Sequence, residues 1–383
     1  MNAPKLRFKE FNDGWQKKEL REISQIYDGT HQTPNYIQNG VPFVSVEDIS
    51  DIEKTNKFIS KNAFEKEFKI KPQVNDILMT RITAGIIGAT AIVKNNNPLG
   101  YYVSLALIRK NKEIDVNYLN QYINCFKFKK ELNKRIIHVA FPKKINLGDI
   151  GKCKISITSI NEQQKIGKML NILDRKIELQ SKKIEDLKLF KLYTKNQIFN
   201  DYDEVFKLKD ILVKWNKKNK NNSVKYVESI SNKYGFISQS DQFEDRNVAS
   251  KNLNNYYIIE KGVFGYNPSR LNVGSLALKT NDKISVVSPL YECFTTSQNN
   301  QYLLEWFGSK YFRKETISKF EGGVRNTLNF SNLCEIEIRL PIIEKQNKYS
   351  NIFRMFNNKI ELEVKKLYKL QELKKGLMQN MFV

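Results

Sequence analysis

The chain has 383 residues, with 64 Lys+Arg against 41 Asp+Glu and a formal net charge of +23. Its hydrophobic content of 40% and aromatic content of 11% exclude a wholly disordered chain and supply cores for two or three domains. The absence of a ~18-residue apolar run argues against a membrane span. Four scattered cysteines (Cys125, Cys153, Cys293, Cys334) and a polar opening, MNAPKLRFKEFNDGW, predict a cytoplasmic chain without disulfides, zinc or a signal peptide.

The charge predicts a polyanionic partner, with nucleic acid first, although a Lys- and Asn-rich composition contributes to the excess. In chain order, the first polar loop is Tyr27-Asp28-Gly29-Thr30-His31-Gln32-Thr33-Pro34. A strand-like VPFVSV follows and ends at Glu47-Asp48, read as a strand-end turn rather than a metal site. Residues 73–93 read as a strand, a polar Gly-containing loop and a second strand. Asn97-Pro98 reads as a turn and residues 117–126 as a helix. A basic loop from His138 to Asn146 leads into residues 146–157, whose alternation predicts a closing strand.

Residues 160–199 contain no proline and are mostly good helix formers. Apolar residues fall at Leu170, Leu173, Ile177, Ile184 and Leu187, the 3-4 spacing of a coiled-coil seam. The same segment recurs, ungapped, 183 positions later: Lys176-Ile177-Glu178-Leu179 lies over Lys359-Ile360-Glu361-Leu362, and Phe199 over Phe382. The second seam is Phe353, Phe356, Ile360, Leu367 and Leu370. Gln180 and Glu363 interrupt the seams, either fixing register or lying where the seam opens to water.

The repeat extends upstream. Residues 146–157 match 329–340, residues 73–93 match 257–279, residues 117–126 match 300–309, and residues 17–23 match 205–211. The expected order is therefore a globular unit (1–158), a long helix (159–200), a second globular unit (201–341) and a second long helix (342–383). Each globular unit reads as α+β, without the regular alternation of a doubly wound sheet.

No P-loop, GxGxxG cradle or HExxH motif is present, and the two histidines, His31 and His138, form no evident triad. The Asn-Pro dipeptides at 97 and 267 lack the second proline and aromatic of a base-holding NPP loop. What remains are loops able to neutralise phosphates or meet base edges. The candidate DNA-binding residues are Thr30, His31, Gln32, Thr80, Arg81, Thr83, Lys143, Lys144 and Asn146 in the first half. In the second half they are Tyr266, Ser269, Arg270, Arg325 and Asn326.

These residues carry a resemblance. The opening PKLRFKEFNDGWQKKELREI, the stretch GTHQTPNYIQNGVPFVSVEDI and the segment 76–93 resemble specificity subunits of type I restriction-modification enzymes. Asn161-Glu162-Gln163-Gln164, and Leu340-Pro341 with Glu344-Lys345-Gln346, resemble that family's Leu-Pro-x-x-x-Glu-Gln signature; the first copy has Thr158-Ser159 where the proline stands.

The resemblance implies two target-recognition domains reading a split sequence in double-stranded DNA, held apart by two antiparallel helices. It also implies docking of methyltransferase subunits, which carry S-adenosylmethionine and methylate adenine, and of restriction subunits using ATP and Mg. This chain itself would be non-catalytic and free of cofactors. The competing readings are a recognition module of a type IIB-like enzyme and a coiled-coil adaptor with a basic surface that does not bind DNA.

Overall fold

The computed structural model describes residues 3–232, 234–239, 252–317 and 327–382. Arg325 and Asn326 lie outside the described residues. The chain divides into two compact units, Met1–Lys182 with Lys365–Val383, and Lys183–Val364. Both divisions fall inside long helices, Ile160–Ile198 and Ile343–Met381, each of 39 residues. Each unit thus contains one globular body, the start of the helix that follows it, and the end of the other long helix.

In the first unit, a four-stranded antiparallel sheet has the order Ser24–Asp28, Leu105–Lys110, Ile77–Thr80, Thr90–Ile92. In the second, the order is Leu212–Lys214, Glu292–Thr296, Phe264–Tyr266, Leu276–Leu278. The connectivity is the same. A two-stranded ribbon closes each body: Gln16–Glu19 with Lys154–Ile157, and Glu204–Lys207 with Glu337–Leu340. The repeat read from sequence is therefore a repeat of topology in an α+β fold.

Only part of the expected closing strand is extended. Residues 147–151 form a short helix, and the strand is Lys154–Ile157; in the second unit, Phe330–Cys334 is helical before Glu337–Leu340. Asn329 explains the second case, because its side chain accepts from the Asn332 amide and caps the turn. Apolar alternation continued through the cap and concealed it.

Each body has its own core. In the first unit, Tyr118, Leu119, Ile155 and Phe128 pack with Ile166 and Leu170 of the adjoining helix and with Met381 and Phe382. In the second, Tyr302, Leu303, Ile338 and Phe312 pack with Phe353, Ile198 and Phe199. Phe382 meets Tyr118 and Tyr122 at 5.5 and 5.1 Å between ring centroids, and Phe199 meets Tyr302 at 5.5 Å. The aromatic just past the end of each long helix thus plugs a globular core, burying area that a free helix end would expose.

Two glutamines fix where each long helix begins. Gln163 donates to the Thr158 and Glu113 carbonyls and accepts from the Asp115 amide; Gln346 donates to the Pro341 carbonyl and Gln298 and accepts from the Asn299 amide. Asp115 and Asn299 are in turn the N-caps of the helices Val116–Ile123 and Asn300–Phe307. The Gln thereby ties strand end, long helix and capped helix together. The neighbouring ion pair has reversed polarity in the two copies: Arg7 pairs with buried Glu162, whereas Lys345 pairs with Asp201 and Asp203.

Of the seam residues, Leu170, Leu173, Ile184 and Phe353 are buried; Ile177, Leu187, Phe356, Ile360, Leu367 and Leu370 are half-buried. Within the second unit, Lys183 pairs with Glu363, Phe190 meets Phe356 at 5.5 Å, and Lys191 reaches Asn357. Numbering rises in one helix as it falls in the other, so these segments are antiparallel. Glu363 is fully buried, 3.1 Å from Lys183 and 3.4 Å from Lys359. This seam position is therefore ionically satisfied rather than open to water. No described helix is long and apolar enough to cross a membrane.

Candidate nucleic-acid interface

The loops of the first unit gather at the end of the four-stranded sheet around Arg81. This residue is only 8% exposed. Its Nε donates to the Val103 carbonyl at 2.9 Å, Nη1 to the Ile145 carbonyl at 3.2 Å, and Nη2 to Asp28 Oδ2 at 3.2 Å. One guanidinium therefore ties three chain segments, using the planar fork that lysine lacks. Sequence reasoning placed Arg81 among the groups facing DNA; its geometry is instead that of an internal tie.

Asp28 is the other half of that tie. It accepts from His31 Nε2 at 2.8 Å and from the Gly29 amide at 3.1 Å. A Cβ at Gly29 would lie 2.5 Å from the Tyr101 carbonyl oxygen, so only glycine permits this approach. Thr30 is buried, its backbone bonded to the Tyr101 carbonyl and the Val103 amide and its hydroxyl donating to Glu67. It shapes the turn, while His31 and Gln32 stand exposed. Sequence reasoning missed Asp28, whose signal was a lone acid in a polar loop of a strongly basic chain.

Thr80 is also interior. Its hydroxyl donates to the Ile86 carbonyl and accepts from the Ala89 amide, closing the loop between Ile77–Thr80 and Thr90–Ile92. The Thr83 hydroxyl accepts from the Gly85 amide, leaving the side chain half-buried. Lys143 and Lys144 pair with Thr83 and Ile82 as a short antiparallel ribbon, and both lysines are exposed. Asn146 is exposed beside Asp149 at the start of the Leu147–Gly151 helix. The accessible polar groups here are thus His31, Gln32, Lys143, Lys144 and Asn146; Thr30, Thr80 and Arg81 hold them in place.

In the second unit Tyr266 is fully buried, packed 6.3 Å from Phe294, and burial pushes its phenol far above the usual range. Its expected place at a DNA surface is corrected: alternation puts this position on the core face of Phe264–Tyr266. Asn267 then caps a short 3-10 turn, Pro268–Val273, which leaves Ser269 and Arg270 exposed.

Nothing in these clusters resembles a catalytic centre. Burial pushes the thiols of Cys153 and Cys293 up to about 12, and that of Cys125 upward. Glu47 and Asp48 both pair with Lys57 at the end of the Val41–Val44 strand. Among the described residues, no group of three or more His, Cys, Asp or Glu could hold a metal ion.

The structure thus combines twin α+β bodies, with loops on a shared sheet plan, and two long helices. Residues 12–189 match the family model described as type I restriction modification DNA specificity domain. Over these residues, somewhat less than half of the chain, it is similar to the type I restriction-modification DNA specificity domain, whose family members are non-catalytic and bind DNA.

The whole chain has the fold of known specificity subunits. The type I restriction-modification S subunit from M. genitalium aligns over 100% of this chain and 99% of its own, with TM-score 0.62 and 13% identity. A chain from a structure describing complex assembly and conformational transition of the type I R-M system aligns over 95% of this chain and 96% of its own, with TM-score 0.54 and 12% identity.

Proposed function

We propose that this chain specifies a bipartite DNA target, each globular body reading one short block. The observation that carries this reading is the same sheet order built twice, with different loop chemistry at its end. The first body offers His31, Gln32, Lys143, Lys144 and Asn146; the second offers Ser269 and Arg270. Arg325 and Asn326 are further candidates from sequence. A repeated scaffold with unlike loops suits two unlike half-sites, because loops vary freely on a fixed sheet.

The two 39-residue helices would act as the spacer, each about 60 Å long at 1.5 Å per residue. The residues 1–158, 159–200, 201–341 and 342–383 would then serve as recognition domain, spacer, recognition domain and spacer. The helices also expose Ile172, Leu179, Leu189, Leu192, Met355 and Leu362, apolar surface that favours a protein partner. Methyltransferase subunits carrying S-adenosylmethionine would dock there, and restriction subunits would supply ATP- and Mg-dependent cleavage.

The test is a methylation map. The chain is expressed with its neighbouring methyltransferase gene in a methylation-free host, and the genome is sequenced for N6-methyladenine. One split motif with a fixed gap is the expected result. Methylation without a sequence rule, or none from a soluble and associated pair, would overturn the reading.

A further inference from the structure

The ribbon formed by Ile82–Thr83 and Lys143–Lys144 joins two loops whose tips are apolar. Val139 is 97% exposed and Phe141 91% exposed on one loop; Ile86 is 75% exposed on the other. Single exposed hydrophobic residues are ordinary, but three on two paired loops are not explained by folding, since none contributes to the core.

Their surroundings are basic. Beside the ribbon lies a hollow of about 620 Å³ whose lining includes Ile86, Phe126, Lys129, Lys130, His138 and Lys143, and no acidic residue. Lys129 donates to the Gly88 carbonyl, and burial lowers its pKa to about 8. Glu131, the acid on the same helix, is occupied by Lys134 and Arg135.

Apolar tips ringed by lysines match one polyanion with an apolar interior, stacked duplex DNA. A protein surface would have to present acids around an apolar pocket. Side chains of this kind part base pairs when flanking cations hold the phosphates on either side. The geometry points to a wedge: Phe141, supported by Val139 and Ile86, inserts at a base step within the half-site met by the first body. Lys143 and Lys144 hold the flanking phosphates. This rests on the DNA-reading function above and adds recognition through deformability, with no base-edge hydrogen bond from the wedge itself.

The experiment uses the chain in complex with its methyltransferase partner and a duplex bearing the mapped target. 2-Aminopurine is placed in turn at each half-site position other than the methylated adenine. Wild-type complex should raise fluorescence at one step. Phe141→Ala should abolish that rise and weaken binding at least tenfold without changing the salt dependence, whereas Phe141→Trp should retain both.

Because Phe141 is exposed, the melting temperature should be unchanged. Equal affinity and fluorescence for wild type and Phe141→Ala would overturn the wedge while leaving DNA reading intact. Loss of methyltransferase association by Phe141→Ala, with DNA binding kept, would overturn it in favour of a protein contact. Failure of the wild-type complex to bind the duplex would defeat both this inference and the reading it rests on.

Discussion

In the first unit, the strand Ile77–Thr80 runs into Arg81, whose guanidinium gathers the segments carrying Asp28, Val103 and Ile145. In the second, the matching strand Phe264–Tyr266 runs into Asn267 and Pro268, and a 3-10 turn ends at Gly274 with φ of 91°. The first unit holds its loops by a long-range ionic fork and the second by local capping and a left-handed glycine. Nearby, the second unit buries Lys279 against Glu228, which also accepts from Ser285. Two solutions on one sheet show that the sheet is the conserved element of the repeat and the loop supports are free to differ.

A second comparison is closer to symmetry. In the first unit, Gln121 and Lys374 both reach Asp174; in the second, Lys191 reaches both Glu305 and Asn357. Asp174 and Asn357 are 183 positions apart, as are Lys191 and Lys374. The carboxylate has moved from the long helix in one unit to the globular body in the other, while the lysine remains on the end of the other long helix. Lys195 adds a second cation to Glu305 at 2.9 Å.

These differences can be broken experimentally. The largest effect is expected from Arg81→Ala, which strands Asp28 and two carbonyls and should destabilise the first unit by about 3 kcal/mol or more. Arg81→Lys should recover only part, since lysine keeps the charge without the fork. Thermal unfolding of the full chain would check both. No change in melting temperature would refute the tie.

Ile177→Pro should cost about 3 kcal/mol inside the central helix. Circular dichroism and co-purification with the methyltransferase would show loss of helix and of assembly, and normal assembly would contradict the spacer role.

Gln121→Glu alone places a second carboxylate beside Asp174 with one lysine between them. It should lower stability by ~1–2 kcal/mol. Adding Asp174→Asn recreates the arrangement of the second unit and should restore most of that loss; a double variant as unstable as the single would sever the analogy.

Glu305 gives a pH signature. Burial works to raise its pKa, but Lys195 and Lys191 outweigh burial and hold it below the usual range. A carboxylate depressed in the fold contributes stability above its unfolded pKa, and that contribution is lost as pH falls through the folded value. Glu305→Gln should therefore lower stability at neutral pH and flatten the decline below about pH 4.5, read from melting temperatures across an acid series. Lys143→Ala should have the smallest effect, leaving stability unchanged and reducing the slope of log affinity against log salt by about one phosphate contact.

Much of this architecture was written in the chain. The ungapped shift of 183 positions fixed two long helices and set Phe199 over Phe382, because helical periodicity and identical spacing are local properties; that the two rings fill globular cores came only from the fold. Matching of segments 73–93 and 257–279 likewise anticipated equivalent strand pairs, since alternation is local too.

Tertiary structure alone decided which polar residues face solvent. Arg81, Thr80 and Tyr266 look like surface chemistry in sequence, yet their partners lie 64, 9 and 28 positions away at Ile145, Ala89 and Phe294. It also decided that each long helix is shared between compact units, its start with one and its end with the other. A sequence states which side chains can bond or bury; which ones do depends on carbonyls and rings brought close by the fold, and those distances are absent from any local pattern.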